Sequence, residues 1–201
     1  LAKNGQRYLY YTVTESIRRN LPVELALLPF IESQFDPYAQ SSTGASGIWQ
    51  FILSTAREQK LKKNWWYDGR RDIVASTDAA FNYLTKLYSK YDDWLLAIAA
   101  YNAGPNRILK EIKKNKDKGL PTDFWSLKLP RETKAYVPKL LALLEVIKSP
   151  EKFSVVIPNL PNRPYFQLVT LPSQVDLMQV ANISGLKLEV IYELNPGFNQ
   201  W

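Results

Sequence analysis

Cysteine and histidine are both absent from this chain of 201 residues. Without cysteine the chain has no disulfide and no thiol nucleophile, which fits either the cytoplasm or the periplasm. Without histidine it has no serine–histidine pair and no imidazole ligand for a metal. The groups left for chemistry are carboxylates, hydroxyls, amides and amines, and we expect no cofactor and no metal.

Long apolar runs are also missing. No stretch of about 18 apolar residues occurs, so the sequence predicts no membrane-spanning helix. The first residues, LAKNGQRYLYYTV, do not have the form of a signal peptide, and we expect any export signal or lipid anchor upstream of them. With 46% hydrophobic and 22% charged residues, the composition favours a globular protein with one core and at most a small appendage.

Charge is distributed unevenly along the chain. Residues 1–150 carry 23 Lys and Arg against 15 Asp and Glu, whereas residues 151–201 carry 3 against 4. The basic first part indicates an anionic partner, such as nucleic acid, a membrane surface or an acidic cell-wall polymer. Many of the lysines lie in KEIKKNKDK (110–118), a run that also fits the solvated end of a helix.

Residues 1–150 have the patterns of consecutive helices. Apolar residues recur at steps of three and four, and no clear strand alternation appears before about residue 153. Pro22 suits a first helical turn, whereas Pro29 falls inside its helix and should bend it near Glu32. We predict helices over residues 5–20, 23–35, 48–59, 73–90, 94–101, 107–116 and 131–148.

The composition changes at residues 149–164, which contain four prolines and read as an extended connector. Beyond it, YFQLVTL (165–171) alternates weakly and predicts a strand, and two short helices are expected over 174–184 and 188–194. The expected fold class is mostly α. We predict a helical domain at 1–150, a proline-rich connector at 151–164 and a small α/β module at 165–201.

Glu32 occupies a position where the pattern calls for an apolar residue. In the predicted helix, the stripe at steps of three and four is Leu25, Leu28, Glu32 and Phe35. A carboxylate on a buried stripe is costly, so burial favours the protonated form and a raised pKa. A Glu that is protonated near neutral pH can act as a general acid. A Glu that pairs with a core arginine, or one that reaches solvent at the end of the helix, has the same pattern.

Further side chains that suit a ligand lie between residues 33 and 51, at residues 101–102 and at residue 136. Gln50 offers both a donor and an acceptor, which suits an acetamido group, and aromatic rings suit stacking on sugars. Each of these features alone also fits a core aromatic or a helix cap. The candidate ligand-binding residues are Ser33, Ser41, Trp49, Gln50, Phe51, Tyr101, Asn102 and Tyr136.

Three longer strings occur in order: LPVELALLPFIESQFDPYAQSSTGASGIWQF (21–51), AIAAYNAGPNRI (97–108) and LPRETKAYVPKLLA (129–142). With them the chain resembles the lytic transglycosylases of the goose-lysozyme-like superfamily over about residues 1–150. The resemblance implies a lysozyme-like helical catalytic domain. The segment SQVDLMQVANISGLKLEVIYELNP (173–196) is also similar to part of a LysM peptidoglycan-binding module.

The resemblance implies roles for the candidate residues. Glu32 matches the single catalytic acid and base, and Ser41 and Gln50 match residues that contact the sugar and its acetamido or lactyl groups. The pair Tyr101-Asn102 matches a Tyr-Asn pair beside the acid, and Tyr136 matches a tyrosine that reaches into the cleft.

The implied substrate is the glycan strand of peptidoglycan, cut between N-acetylmuramic acid and N-acetylglucosamine. No water is consumed, and a 1,6-anhydro end is left. The resemblance also implies a periplasmic location, with attachment to the outer membrane through an N-terminal segment outside this sequence. We further expect a monomer that does not bind nucleic acid.

Other functions stay open at this point. If Asp36, Asp68, Asp72 or Asp78 held a water about 6.5–9.5 Å across from Glu32, the chain would be a goose-type muramidase, which is a hydrolase. A non-catalytic module could bind peptidoglycan through the same aromatic and basic residues. A basic nucleic-acid binder rests on charge alone.

Overall fold

The structure is a computed structural model that describes residues 3–200, and its regular elements within that range are all helical. Isolated β-bridges occur there, but no strand does. The mostly α prediction is therefore confirmed. The α-helices are α1 (Lys3–Arg18), α2 (Leu28–Ser33), α3 (Leu53–Glu58), α4 (Ile73–Tyr91), α5 (Trp94–Ala103), α6 (Pro105–Lys116), α7 (Arg131–Lys148), α8 (Leu177–Ser184) and α9 (Leu188–Leu194).

Short 3₁₀ helices complete the set at Val23–Leu27, Phe124–Ser126 and Pro150–Phe153. None of the helices within residues 3–200 combines the length and the apolar character that crossing a bilayer requires. Chain contacts divide the protein into two units. One contains the described residues up to Ala79 together with those from Pro158 onward, and the other is Ala80–Ile157.

In the first unit, α1 packs on the 3₁₀ helix Val23–Leu27, which in turn contacts α2. The buried face of α1 carries Tyr8, Thr12 and Ser16 at steps of four. The single hydroxyl hydrogen of Thr12 is shared between the carbonyl oxygens of Leu9 at 3.0 Å and Ala26 at 3.3 Å. These two bonds satisfy a polar group inside the core and tie α1 to the segment that leads into α2.

The C-terminal residues of the same unit pack on α1. Phe166 contacts the rings of Tyr8 and Tyr11, with centroid separations of 6.4 and 5.4 Å. Arg7 forms an ion pair with Glu193 at 2.6 Å, and the Tyr8 hydroxyl donates to the Glu193 carbonyl oxygen at 3.1 Å. Burial raises the pKa of Tyr8 to about 12, so this donor stays protonated at neutral pH.

The second unit is built around α5, whose residues 96–100 are all buried. Asp93 caps the helix by accepting a hydrogen bond from the Leu96 N–H at 3.0 Å. Gly104, with φ of 86°, ends the helix, and Pro105 begins α6. α5 contacts α6, α7 and the 3₁₀ helix Phe124–Ser126.

The helix predicted over 23–35 is divided into two helices of different type. Val23–Leu27 forms a 3₁₀ helix and the α-helix begins at Leu28, one residue before Pro29. The proline has no N–H and fits the first turn of a helix better than its interior. The sequence predicts a bend near Glu32, but the chain changes from 3₁₀ to α geometry before Pro29, and the α-helix ends one residue after Glu32.

The helix predicted over 48–59 is wrong in its first half. The α-helix begins only at Leu53, and residues 48–50 form a turn. Gly47 has φ of 83° and Gln50 has φ of 49°, and a residue in the left-handed region interrupts a right-handed helix. Phe51 takes part in an isolated bridge with Ser46 instead.

The strand predicted at 165–171 is also wrong. Leu168, Val169 and Leu171 are exposed, and the segment has no ladder with any described part of the chain. A segment with weak alternation forms a strand only where a second strand can pair with the N–H and C=O groups of its backbone. The two short helices that follow are present as α8 and α9, which pack on each other. The α/β character expected for the C-terminal module is therefore replaced by helices and extended chain.

Candidate active site

Glu32 is half-buried and lies one residue before the end of α2. Leu25, Leu28 and Phe35, its companions on the predicted apolar stripe, are buried with at most 1% exposure. The helix ends here because Gln34 and Phe35 adopt φ of 55° and 59°. The carboxyl group thus lies at the border between the core and solvent. The raised pKa expected for Glu32 stays a prediction.

Ser33 connects the end of α2 to the next candidate segment. Its hydroxyl donates to the Ile48 carbonyl oxygen at 3.0 Å and lies 3.3 Å from the Pro29 carbonyl oxygen. The structure therefore brings Glu32-Ser33 next to Ile48 and the residues that follow it. Ser33 thus links the end of α2 to this segment.

The segment 39–51, which we name the site loop, is held by its own hydrogen bonds. Gln50 Nε2 donates to the carbonyl oxygens of Gly47 at 2.8 Å and Ala39 at 3.2 Å. The Ser41 hydroxyl accepts the Ala45 N–H at 3.0 Å and lies 2.9 Å from the Thr43 hydroxyl. Gln50 and Ser41 thus close the two ends of a preformed loop. Both are only partly buried, which leaves them accessible to a ligand.

A buried ion pair supports the site loop from behind. Arg70 and Asp68 are 4% and 5% exposed, and Arg70 Nη2 lies 2.6 Å from Asp68 Oδ2. Arg70 Nη1 donates to the carbonyl oxygens of Gly44 at 2.8 Å and Phe51 at 3.3 Å. Burial raises the pKa of Asp68, but hydrogen bonds from the Arg70 side chain and backbone outweigh burial and hold this pKa below its ordinary value.

Gly47 shows how closely the site loop packs on this support. A Cβ added to Gly47 would lie 1.8 Å from the Arg70 carbonyl oxygen. No side chain fits there, and the φ of 83° also favours glycine. The glycine therefore allows the backbones of the loop and of Arg70 to touch.

The aromatic residues of the site loop need a correction. Trp49 is 0% exposed and Phe51 is 3% exposed, so neither ring face can stack on a sugar. Trp49 Nε1 donates to the Thr77 hydroxyl at 3.0 Å. Both rings belong to the core beneath the loop, because burial of a large apolar ring is favourable and the one polar edge, that of Trp49, is satisfied.

The second unit contains the remaining candidates. Asn102, near the end of α5, accepts a hydrogen bond from the Thr133 hydroxyl at 2.8 Å and donates to Glu132 at 3.3 Å. These bonds join it to the first turn of α7, the helix that carries Tyr136. Tyr101 is half-buried and its ring lies 5.7 Å from that of Tyr83. Tyr136 is 5% exposed, which leaves no open ring face for stacking.

The four aspartates that could have served as a second acid all have local partners. Asp36 accepts the Tyr38 N–H at 2.8 Å, and Asp72 accepts the Ala75 N–H at 2.8 Å at the start of α4. Asp78 forms an ion pair with Arg19 at 2.5 Å, and Asp68 forms an ion pair with Arg70 at 2.6 Å. Each therefore has a structural role in the first unit.

Sequence reasoning missed several supporting residues. Arg70, Thr77 and Thr133 are buried, and each makes a hydrogen bond that holds a candidate residue or its loop. A signal existed for Thr133, which is a short polar residue on the inward stripe of α7. Within residues 3–200, no group of three or more acidic side chains is arranged to hold a metal ion.

Comparisons with known proteins give one consistent picture. The family model described as "Transglycosylase SLT domain" matches residues 10–123. Membrane-bound lytic murein transglycosylase D of Escherichia coli K12 is 46% identical over 194 residues, which are 96% of this chain and 43% of that protein. Membrane-bound lytic murein transglycosylase F of Desulfosudis oleivorans is 33% identical over 108 residues, which are 50% of this chain and 22% of that protein.

Among solved structures, the lytic transglycosylase Slt of Pseudomonas aeruginosa, solved as an inactive glutamate-to-glutamine variant, matches with a TM-score of 0.53 and 26% identity. That match covers 71% of this chain and 24% of the other. The helical fold described above is therefore shared with a lytic transglycosylase. The family model spans more than half of the sequence, and the chain belongs to the transglycosylase SLT domain family.

Proposed function

We propose that this chain is the catalytic part of a peptidoglycan lytic transglycosylase. The observation that carries the proposal is a half-buried glutamate, Glu32, bordered by a fully buried apolar stripe and linked through Ser33 to a preformed loop. The chain spans 43% of the E. coli relative, so the activity of the whole protein is part of this proposal. The names of the relatives supply murein as the substrate class.

In the proposed reaction, protonated Glu32 gives its proton to the glycosidic oxygen between N-acetylmuramic acid and N-acetylglucosamine. The bond breaks through an oxocarbenium-like transition state. The 2-acetamido oxygen of the muramic residue attacks the anomeric carbon from the opposite face. A protein nucleophile is therefore unnecessary, and the N-acetylglucosamine leaves with the proton from Glu32.

In the second step, ionised Glu32 takes the proton from the 6-hydroxyl of the same muramic residue. The 6-oxygen attacks the anomeric carbon, the acetamido oxygen is displaced, and a 1,6-anhydro ring closes. An intramolecular hydroxyl has a high effective concentration and competes well with water. Glu32 returns to its protonated state, so one carboxyl group serves as acid and then as base.

Gln50 suits substrate positioning in this scheme. Both of its hydrogen bonds use Nε2, which leaves the carboxamide oxygen to accept an N–H from an acetamido group. Ser41 offers its hydroxyl at the other end of the site loop. We propose that Tyr101, Asn102 and Tyr136 contact the substrate through hydroxyl and amide edges, because the ring face of Tyr136 is covered.

A goose-type muramidase is the nearest alternative, and it needs a second carboxylate that holds a water. The local partners of Asp36, Asp68, Asp72 and Asp78 favour the single-carboxylate scheme. Digestion of purified peptidoglycan followed by mass spectrometry tests the choice. The proposal expects 1,6-anhydro ends, lighter by one water than the reducing ends of a hydrolase. Reducing ends alone would contradict it, and no fragments at all would indicate a non-catalytic binder.

Location and accessory roles are also proposals. The designation of the relatives as membrane-bound supports a periplasmic site of action, with outer-membrane attachment through a segment outside this sequence. We further propose a monomer. The resemblance of residues 173–196 to part of a LysM module supports contact with peptidoglycan by the C-terminal helices. Their packing on α1 supports a bracing role beside it.

A further inference from the structure

Two adjacent tryptophans of the first unit face solvent. Trp65 is 73% exposed and Trp66 is 61% exposed, on the loop of residues 62–69 that we name the tryptophan loop. Single exposed apolar residues are ordinary, but two neighbouring indoles leave a large apolar area in water. The catalytic scheme uses neither residue, so their exposure calls for its own explanation.

The backbone of the tryptophan loop is firmly held. The Asn64 side chain accepts the N–H groups of Trp66 at 2.9 Å and Tyr67 at 2.8 Å. From the C-terminal segment, Asn199 donates to the carbonyl oxygens of Trp65 at 3.1 Å and Trp66 at 2.8 Å. Because the backbone is fixed before any ligand arrives, binding on the indoles costs little ordering of the loop.

A cavity of about 310 Å³ lies beside the tryptophan loop. Its wall is partly apolar and partly cationic, with Lys63 and Asn64 shared between the cavity and the loop. The lining residues are Leu53, Ala56, Arg57, Leu61, Lys63 and Asn64. A concave wall of this kind fits a ligand with apolar and anionic parts. A protein that binds a flat lipid surface instead inserts an apolar face that protrudes from it.

Positive charge surrounds the same place. Residues 57–66 contain Arg57, Lys60, Lys62 and Lys63 against the single acid Glu58, and all five side chains are exposed. Lys63 Nζ also lies 3.7 Å from the Asp68 carboxylate, which balances part of the positive charge of the lysine. The remaining cations attract an anionic partner within about a Debye length of 8–10 Å.

We propose that the tryptophan loop and the adjoining cavity form a second binding surface for the acidic glycan of peptidoglycan, used in addition to the Glu32 site. The indoles stack on sugar faces, and Arg57 and the lysines face the carboxylates that the polymer carries. The identity of the polymer rests on the proposed function. The surface itself rests on exposure, fixed geometry, concavity and charge.

The test measures retention on insoluble peptidoglycan in the Glu32→Gln background, where substrate is not consumed. We expect the double change Trp65→Ala and Trp66→Ala to weaken retention about tenfold, since two stacking contacts are removed. Trp125→Ala is the matched control, because Trp125 is 62% exposed in the second unit, and it should retain normal binding. With Glu32 intact, the double variant should cleave short soluble fragments at the parent rate.

Unchanged retention of the double variant would overturn the proposal. A loss of binding to phosphatidylglycerol vesicles with normal retention on peptidoglycan would also overturn it, and would assign the surface to a membrane. An equal loss for Trp125→Ala would indicate nonspecific adhesion and count against it. If the parent releases no fragments but the double variant still loses retention, the proposed function fails and the binding surface stands.

Discussion

At the scale of single residues, the position of Glu32 follows from two left-handed residues. Gln34 and Phe35 both have positive φ, so α2 stops directly after Ser33, and Phe35 turns inward to full burial. Such backbone is uncommon for a bulky residue and persists where packing compensates for it. The Phe35 ring packs edge-on against Phe30 at 4.8 Å, which supplies that packing. Glu32 therefore lies in the last turn of a short helix, whose neighbouring stripe positions Leu25, Leu28 and Phe35 are buried.

Trp49 tests the corrected role of the aromatic residues. We expect Trp49→Phe to lower the free energy of unfolding by about 1–3 kcal/mol, because it removes the hydrogen bond to buried Thr77 and leaves a small void. Denaturant unfolding measures this loss. The KM for soluble glycan fragments should stay near the parent value. A raised KM with unchanged stability would return Trp49 to the substrate-binding residues.

At the scale of elements, the site loop is shaped by the chain that packs behind it. Arg70 reaches two carbonyl oxygens of the loop and keeps its own charge balanced by Asp68. Gln50 closes the loop from within. Since catalysis needs groups held in place before the substrate arrives, we propose that these bonds contribute to function without touching the substrate.

Gly47 and Gly44 form a matched pair for testing this packing. Gly47→Ala would place a Cβ 1.8 Å from the Arg70 carbonyl oxygen, whereas a Cβ at Gly44 meets nothing within 4 Å. Both have φ near 80°, so both substitutions share a backbone cost of about 1–2 kcal/mol. We expect Gly47→Ala to lower stability clearly more than Gly44→Ala in denaturant unfolding and to reduce activity. Equal losses would show that the loop is not packed on Arg70.

The Asp68–Arg70 pair predicts how the free energy of unfolding depends on pH. Asp68→Asn should lower the free energy of unfolding by about 3–5 kcal/mol at pH 7, since it leaves Arg70 buried without its counter-charge. The pKa of Asp68 is depressed in the folded state, so its contribution is fully present above its unfolded pKa of about 4. As the pH falls through the folded pKa, that contribution is lost.

The measurement is urea unfolding of the parent and Asp68→Asn between neutral and acid pH. The difference between them should be largest at neutral pH and should shrink below pH about 4. A difference that grows on acidification would contradict the sign of the shift. Asp36→Asn, at an aspartate in a local turn, serves as the control and should show little effect.

Helices with strong periodicity could be predicted from the sequence, and less regular segments could not. The limits of α7 and α9 agree with the predicted 131–148 and 188–194. Residues 48–52 have a helical composition, but Gly47 and Gln50 have positive φ and contact Arg70 and Ala39, which lie well beyond one helical turn along the chain. The burial of Trp49 depends on Thr77 in the same way. Tertiary contacts of this kind override local pattern.

At the scale of the whole molecule, the C-terminal part of the first unit contacts its N-terminal part at two places. Phe166 and Glu193 contact α1, and residues 197–199 contact the tryptophan loop and Arg71. Tyr67 lies against Phe198, with ring centroids 5.5 Å apart. We propose from these contacts that residues 158–200 brace the N-terminal part of the unit that carries Glu32.

Phe166 provides a test of this bracing. We expect Phe166→Ala to lower the free energy of unfolding by about 1–3 kcal/mol, because the rings of Tyr8 and Tyr11 lose a packing partner. Leu168→Ala, at a side chain that is 65% exposed, is the control and should change stability by less than about 0.5 kcal/mol. Thermal unfolding of both variants measures the two losses of stability. Equal losses for Phe166→Ala and Leu168→Ala would contradict the bracing role.

The central claim is that one carboxyl group, that of Glu32, performs both proton transfers. Glu32→Gln keeps the shape of the side chain and removes its acid, and general acid–base catalysis contributes about 10²–10⁴-fold. The decisive measurement is the rate of anhydro-fragment release from purified peptidoglycan by Glu32→Gln, with circular dichroism showing an intact helical fold. We predict a rate at least about 10²-fold below that of the parent. Release at the parent rate by a folded Glu32→Gln variant would contradict the account.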